Sequence, residues 1–282
     1  RDGDIWLDGR FVPWREARIH ILSHGLHYGS GVFEGVRAYG GKPFKLEEHT
    51  DRLFASAALM DMRIPFTPAD INSAVLEAVR RNQVDYGYIR PFAWRGSEMM
   101  AVSAQHTTIH VAVAAWPTKT YYNAELVERG IRLNVARWRR MPPECAPIHS
   151  KAAGLYMSGT LSKHEAERAG YNDALMLDWR GQVAEATAAN IFLVQDGALH
   201  TPTPDCFLDG ITRQTVIALA QESGYSVTER AIFPEEFART QEVFLTGTAA
   251  EITAVREIGE YAFTPGPVTA ALRAAYQALV NG

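Results

Sequence analysis

Apolar residues at the start of the chain fall into short runs broken by glycine. Ile5–Leu7 and Phe11–Pro13 flank Asp8-Gly9-Arg10, and Val32–Tyr39 runs into Gly40-Gly41 ahead of Lys42–Leu46, so both stretches predict hairpins. The period then lengthens. Leu53, Phe54, Ala57, Ala58 and Met60 repeat with helical spacing over His49–Met60, and a second helix is expected to open with Thr67 as N-cap, Pro68 at the first helical position and Asp70 two residues on. Tyr86–Met100 and Thr107–Ala115 return to strand-like alternation. The pattern is lost across Trp116-Pro117-Thr118-Lys119-Thr120-Tyr121.

Beyond that break, Ile131–Arg137 predicts a strand, Gly154–Ala169 a helix stopped by Gly170, and Ala174–Val194 two or three strands turned at Arg180-Gly181. Thr212–Ser223 reads as a helix, Val243–Thr246 as a strand and Pro267–Val280 as a final helix. We therefore expect an α+β or mixed α/β protein rich in antiparallel sheet, with a small N-terminal domain over 1–116, a linker over 117–123 and a larger domain over 124–282. No Gly-x-Gly-x-x-Gly follows a strand, which disfavours a dinucleotide fold.

Composition narrows the class. At 282 residues two cores are the default, and 47% apolar content with a net charge of −4 describes an ordinary globular protein rather than a nucleic-acid binder. Apolar runs such as Ile109–Trp116 are far short of a membrane span of about 20 residues, and the charged start differs from a signal peptide; a cytoplasmic location is expected. The chain opens on Arg1, so a few residues are expected ahead of it. Cys145 and Cys206 lack metal-type spacing and read as reduced thiols.

The lysines carry the first chemical signal. The chain has 23 arginines but five lysines. Lys42 and Lys45 border a turn and a strand end, Lys119 lies in the break, and Lys163 stands beside His164 and Glu165, where a solvated charge is the ordinary explanation. Lys151 alone follows an apolar Pro147-Ile148 and precedes Ala152-Ala153-Gly154. A desolvated lysine loses its proton more easily, and a free amine is what Schiff-base chemistry requires, although an exposed loop lysine fits the same pattern. Two further stretches suit an anion: Asp209-Gly210-Ile211-Thr212-Arg213 opens a helix, and Thr246-Gly247-Thr248-Ala249-Ala250-Glu251 ends a strand in small residues. His20, His24 and His27 would share a helix face suited to a metal, but Gly25 weakens a helix there.

Taken in order, His27-Tyr28-Gly29-Ser30-Gly31-Val32-Phe33-Glu34-Gly35-Val36-Arg37-Ala38-Tyr39, Tyr88-Ile89-Arg90-Pro91, Lys151–Tyr156, Gly170–Ala174, Ala184-Glu185 with Asn190-Ile191-Phe192, Gly210–Arg213 and Gly247–Glu251 resemble the class IV, or fold type IV, pyridoxal-phosphate aminotransferases. Within them the chain is most similar to the branched-chain amino-acid aminotransferases. The resemblance implies the two-domain fold type IV architecture, also that of D-amino-acid aminotransferases, with 124–282 as the cofactor-binding domain. It implies pyridoxal 5'-phosphate as cofactor, and transamination between leucine, isoleucine or valine and 2-oxoglutarate in two alternating half-reactions.

The roles it implies can be stated residue by residue. Lys151 would be the Schiff-base lysine and proton shuttle, Glu185 the partner of the pyridine nitrogen, and Tyr156 that of the ring hydroxyl. Arg52, Ile211, Thr212 and Thr248 would bind the phosphate, and Leu208 would pack on the ring. Phe33, Tyr28, Tyr121 and Val102 would form the apolar side-chain pocket, Tyr28 and Val102 serving a partner subunit in a homodimer or higher homo-oligomer. Tyr88, Thr248 and Ala249 would hold the α-carboxylate, Arg90 the side-chain carboxylate of glutamate, and Arg37 would sit at the pocket mouth with a structural role. The chain departs from the family at Ala186-Thr187-Ala188-Ala189, where glycine-rich sequence is usual. A D-amino-acid or (R)-amine transaminase and an aminodeoxychorismate lyase share the fold and remain alternatives, as does a binding protein without activity.

Overall fold

The computed structural model describes residues 2–118 and 121–282. It divides into two compact units, the first comprising residues 1–119 and 149–156 and the second 120–148 and 157–282. The chain thus returns to the first unit for the segment carrying Lys151, which the sequence reading had put in the second domain. The expected linker contains Lys119 and Thr120, which lie outside the described residues.

The first unit is an antiparallel sheet covered by two helices. Its strands are β1 (Asp4–Leu7), β2 (Arg10–Pro13), β3 (Gly31–Phe33), β4 (Val36–Tyr39), β5 (Lys42–Pro43), β6 (Gly87–Arg95) and β7 (Ile109–Pro117), in the order β2-β1-β7-β6-β4-β5 with β3 also on β6. The short helix α1 (His24–Tyr28) precedes β3, and α2 (Leu46–Leu59) and α3 (Pro68–Arg81) follow β5. Thr67 caps α3 as expected: its hydroxyl accepts from the Asp70 amide while the Asp70 carboxylate accepts from the Thr67 amide. Leu53, Ala57, Ile71, Val75 and Ala78 from the helices meet Val32, Val36, Ile89, Val111 and Val113 from the sheet in one apolar cluster.

Two expectations change here. The predicted strand over Lys42–Leu46 ends at Pro43, because Lys45 takes a left-handed conformation (φ 52°) and α2 starts at Leu46. The strand expected over Val32–Tyr39 is interrupted at Glu34-Gly35. Phe33 pairs with Phe92 and Val36 with Ile89 in one continuous register, which sets Pro91 opposite Glu34. Pro91 accepts from the Glu34 amide at 2.9 Å but has no N–H to return, so the ladder breaks there. The break frees Glu34 for a different use.

The second unit is built on a nine-stranded mixed sheet: β8 (Ile131–Val135), β9 (Asp173–Leu177), β10 (Val183–Ala186), β11 (Asn190–Gln195), β12 (Ala198–Pro202), β13 (Val227–Arg230), β14 (Glu242–Gly247), β15 (Glu251–Ile258) and β16 (Tyr261–Ala262). The order is β10-β9-β8-β15-β14-β11-β12-β13, with β16 on β15; β8 runs parallel to β9 and β15, and β12 to β13. Its helices are α4 (Ala124–Arg129), α5 (Met157–Arg168), α6 (Ile211–Glu222) and α7 (Pro267–Asn281). Fully buried Ile131, Leu133, Ile191, Leu193, Leu245 and Val255 form its centre. No helix among the described residues is long and apolar enough to cross a membrane.

Candidate active site

In the first unit the site is assembled around Lys151. Gly29, at φ 65°, ends α1, and a side chain there would meet the Gly154 Cα at 3.0 Å, so two glycines let the 149–156 segment lie against the start of β3. The Phe33 amide donates to the Lys151 carbonyl, the Lys151 amide donates to Ser56 Oγ at 2.9 Å, and the Ser150 hydroxyl donates to the Ser56 carbonyl. The backbone of Lys151 is therefore pinned from both β3 and α2. Its side chain is half-buried, Nζ donates to the Tyr156 hydroxyl at 2.8 Å, and the Phe33 ring centroid lies 5.1 Å away.

Tyr88 and Arg90 follow each other on one face of β6. Arg90 Nη2 donates to the Tyr88 hydroxyl at 3.3 Å, and the guanidinium lies 4.5 Å from the centroid of Phe33. Arg90 Nε is buried without a hydrogen-bond partner among the described residues. Arg37 is buried on β4, opposite Tyr88 in register, with its guanidinium 5.7 Å from the Tyr39 ring centroid. Tyr28 and Val102 are exposed on this unit, Val102 by 85%.

Arg52 lies on α2 and is bound to a residue whose role the sequence reading did not anticipate. Its Nε and Nη2 donate to the two oxygens of Glu34 at 2.6 and 3.0 Å, and His49 Nδ1 stands 2.6 Å from Glu34 Oε2. Glu34 is fully buried. Burial works to raise its pKa, but the charge of Arg52 and the hydrogen bonds from His49 and Arg52 outweigh it and hold the carboxyl at about 2. Burial also pushes His49 below the usual histidine range, against the pull of Glu34, so a neutral ring donates its Nδ1–H. Lys151 acts on His49, and Tyr156 and Tyr88 act on Arg52, so all these groups share one neighbourhood.

The second unit holds a buried carboxylate and a helix start with free amides. Glu185 lies on β10, nine-tenths buried, with Arg140 Nε 3.0 Å from Oε1. The alignment of that N–H is poor, so the contact is an ion pair rather than a good hydrogen bond. Arg140 Nη2 donates to the Thr187 carbonyl at 3.0 Å, which fixes the guanidinium beside Glu185. The unusual Ala186–Ala189 stretch makes a tight turn, closed by the Ala186 amide on the Ala189 carbonyl and by the Thr187 hydroxyl on Asp173 at 2.6 Å. Asn190 Nδ2 donates to the Leu208 carbonyl at 3.0 Å and reaches Glu185 at 3.4 Å.

Helix α6 begins at buried Ile211 and Thr212 with Gly210 as its N-cap and no side chain bonded to its first amides. Arg213 fixes that turn: fully buried, it donates to Asp209 and Glu229 at 2.7 Å and to the Pro202 carbonyl at 3.1 Å. Thr246, at the end of β14, has a buried hydroxyl without a partner among the described residues, and Thr248 and Ala249 in the following turn are half-buried. Tyr121 is exposed, edge-on to Tyr122 at 4.8 Å.

The other chemical candidates are accounted for locally. Lys163 is not a solvated charge: it is half-buried, donates to the Asn172 carbonyl and lies 3.6 Å from Asp173. His24 bonds Ser30 and the Ala101 carbonyl, His27 the Ile21 carbonyl and His20 the Leu22 amide, so each has its own partner. Cys145 is exposed and Cys206 buried, and neither is in a disulfide.

In the first unit an amine bonded to a phenol, with a guanidinium on the neighbouring helix, suits an aldehyde and an anionic group; in the second, a buried carboxylate suits a pyridine nitrogen and uncapped helix amides suit a phosphate. Comparison with known proteins agrees. A family profile described as amino-transferase class IV matches residues 31–258. The branched-chain-amino-acid aminotransferase of Pseudomonas aeruginosa is 43% identical over all of this chain and 94% of its own length. Crystal structures of the T.th. branched-chain amino acid aminotransferase match over 100% of this chain and 95% of theirs. The form with pyridoxamine 5'-phosphate has a TM-score of 0.96 at 41% identity, and the complex with N-(5'-phosphopyridoxyl)-L-glutamate 0.95 at 40%.

Proposed function

Because the chain belongs to the class IV aminotransferases, together with full-length branched-chain relatives, we propose that it is a pyridoxal-phosphate-dependent branched-chain-amino-acid aminotransferase. It moves the amino group of leucine, isoleucine or valine to 2-oxoglutarate in two half-reactions that alternate at one site. The observation that carries this reading is the Lys151 amine held 2.8 Å from the Tyr156 hydroxyl beside Phe33 and Arg90.

When bound, pyridoxal phosphate supplies an aldehyde for amines and a ring that accepts the electrons released at the substrate Cα. Lys151 would supply the amine that holds the aldehyde, and its Nζ would carry the proton between the substrate Cα and C4′. Tyr156 orients that amine and would bond the ring hydroxyl. Glu185, held by Arg140, would keep a proton on the pyridine nitrogen. Arg52, the Ile211 and Thr212 amides and Thr248 are the residues that would hold the phosphate, and Leu208 would pack on the ring.

For substrate, Phe33 and Tyr121 offer apolar surface. Tyr88 and the Thr248 and Ala249 backbone would hold the α-carboxylate, and the planar guanidinium of Arg90 would take the side-chain carboxylate of glutamate. Arg37 supports β4. The exposure of Tyr28 and Val102, alongside exposed Ile21 and Leu26, supports a homodimer in which these two side chains serve the partner's pocket. A cytoplasmic location belongs to the same reading and rests on the ordinary globular composition.

An absorbance titration tests the function. The protein with pyridoxal phosphate should develop the long-wavelength band of a lysine-bound cofactor, and L-leucine should bleach it. Bleaching only by D-alanine or (R)-phenylethylamine would move the substrate class, and a protein that forms no such band would refute the assignment of Lys151.

A further inference from the structure

Helix α2 places His49, Arg52 and Ser56 on one face, and all three are engaged within the first unit. Ser56 receives the Lys151 amide, whereas His49 and Arg52 converge on Glu34. The carboxylate of Glu34 is saturated: Oε1 takes Arg52 Nε at 2.6 Å, and Oε2 takes Arg52 Nη2, His49 Nδ1 and the Gly35 amide at 3.0, 2.6 and 3.1 Å. Its backbone is tied to Pro91, in the interruption between β3 and β4. A carboxylate fixed at both ends can set the direction of whatever binds it.

The guanidinium has five donors in a planar fork. Glu34 takes the edge formed by Nε and one Nη2 hydrogen, which leaves the Nη1–Nη2 edge as the only one able to make a second bidentate contact. Arg52 Nη1 has no hydrogen-bond partner among the described residues, and the side chain is 18% exposed. We infer that Glu34, backed by His49, is the positioning residue of Arg52: it locks the guanidinium so that its open edge meets the cofactor phosphate. The inference rests on the reading above that Arg52 binds that phosphate.

Charge and orientation make opposite predictions. If Glu34 did no more than neutralise Arg52, its removal would leave a more positive site and tighten phosphate binding. If it positions Arg52, its removal lets the fork turn, and one charge-assisted hydrogen bond is lost. That corresponds to roughly a tenfold or greater weakening.

The test is equilibrium dialysis of the full chain against pyridoxal 5'-phosphate and, separately, against pyridoxal, which lacks the phosphate. Glu34→Gln should raise the Kd for pyridoxal phosphate about tenfold or more and leave that for pyridoxal within about twofold. Glu34→Asp, which keeps the charge, should fall between wild type and Glu34→Gln, and His49→Gln should show a smaller loss of the same kind. Should Glu34→Gln fail to fold, Glu34→Asp and His49→Gln carry the same comparison. Tighter binding of pyridoxal phosphate, or parallel losses for both ligands, would overturn the inference. Arg52→Gln separates it from its premise: if this variant leaves pyridoxal phosphate binding intact, the phosphate reading fails, and if it weakens binding while the Glu34 and His49 variants do not, the positioning role alone fails.

Discussion

Replacing Gly35 with alanine should damage catalysis more than stability. A Cβ at this position would stand 1.9 Å from the Tyr88 hydroxyl and 2.7 Å from its ring carbon, whereas ordinary carbon contacts begin near 3.5 Å. The phenol must therefore retreat by roughly 1.5 Å, and the 3.3 Å contact from Arg90 to its hydroxyl is lost. Gly35 is outside the left-handed region, so alanine fits the backbone and gains about 0.4–1 kcal/mol by restricting the unfolded chain. Overpacking costs about 1–3 kcal/mol, which leaves a net loss of about 0–2.6 kcal/mol. A group displaced by about 1 Å costs catalysis on the order of 100-fold, or about 2.7 kcal/mol. Steady-state kcat/KM for leucine and for glutamate, with thermal melts, separates the two effects. In Gly35→Ala/Tyr88→Leu the melting temperature should recover while activity stays low. Wild-type kcat/KM in Gly35→Ala, or a double variant no more stable than the single one, would refute the reasoning.

Lys151→Ala should abolish transamination and leave the melting temperature nearly unchanged; measurable turnover in that variant would exclude its role as the reacting amine. Arg90→Ala should lower kcat/KM for glutamate about tenfold more than for leucine, and an equal loss for both would contradict recognition of the side-chain carboxylate. Glu242 is buried and receives the Val268 amide at 3.1 Å and the Thr269 amide and hydroxyl at 2.8 and 2.7 Å, so it caps α7. Glu242→Gln turns an amide group toward those donors and should cost about 2–4 kcal/mol, seen as a melting temperature lower by roughly 5–15 °C with KM unchanged. The depressed pKa of Glu34 means that its contribution is complete above about 4.5, the ordinary glutamate value, and is lost as pH falls toward about 2. That difference is worth ~3 kcal/mol at neutral pH, so in chemical denaturation wild type should lose about that much more stability than Glu34→Gln between pH 5 and 2.

Local chemistry was legible from the sequence because its causes lie a few residues apart. The Thr67 cap with Pro68 and Asp70, the Asp8-Gly9 hairpin and the stop at Gly170 (φ 81°) all formed as expected. Lys151 stood out through scarcity and neighbours. Glu34 did not, although it lies inside a motif, because its meaning depends on partners 15 and 18 residues away and on complete burial, which no period reports. Pro91 was the available sign: a proline inside a strand pattern breaks the ladder opposite it, and the residue facing that break is free to turn its side chain to other uses. Lys163 was misread for the same reason, since Asp173 and the Asn172 carbonyl reach it from the loop and strand after α5. Arg140 and Glu185 are 45 positions apart and meet only because β9 and β10 fold back beside the 138–140 segment, whose Arg140 bridges to Asp178. In each miss the decisive partner of a charged residue was distant in sequence, so a polar residue beside an interrupted strand is the feature to question first when a chain of this kind is read.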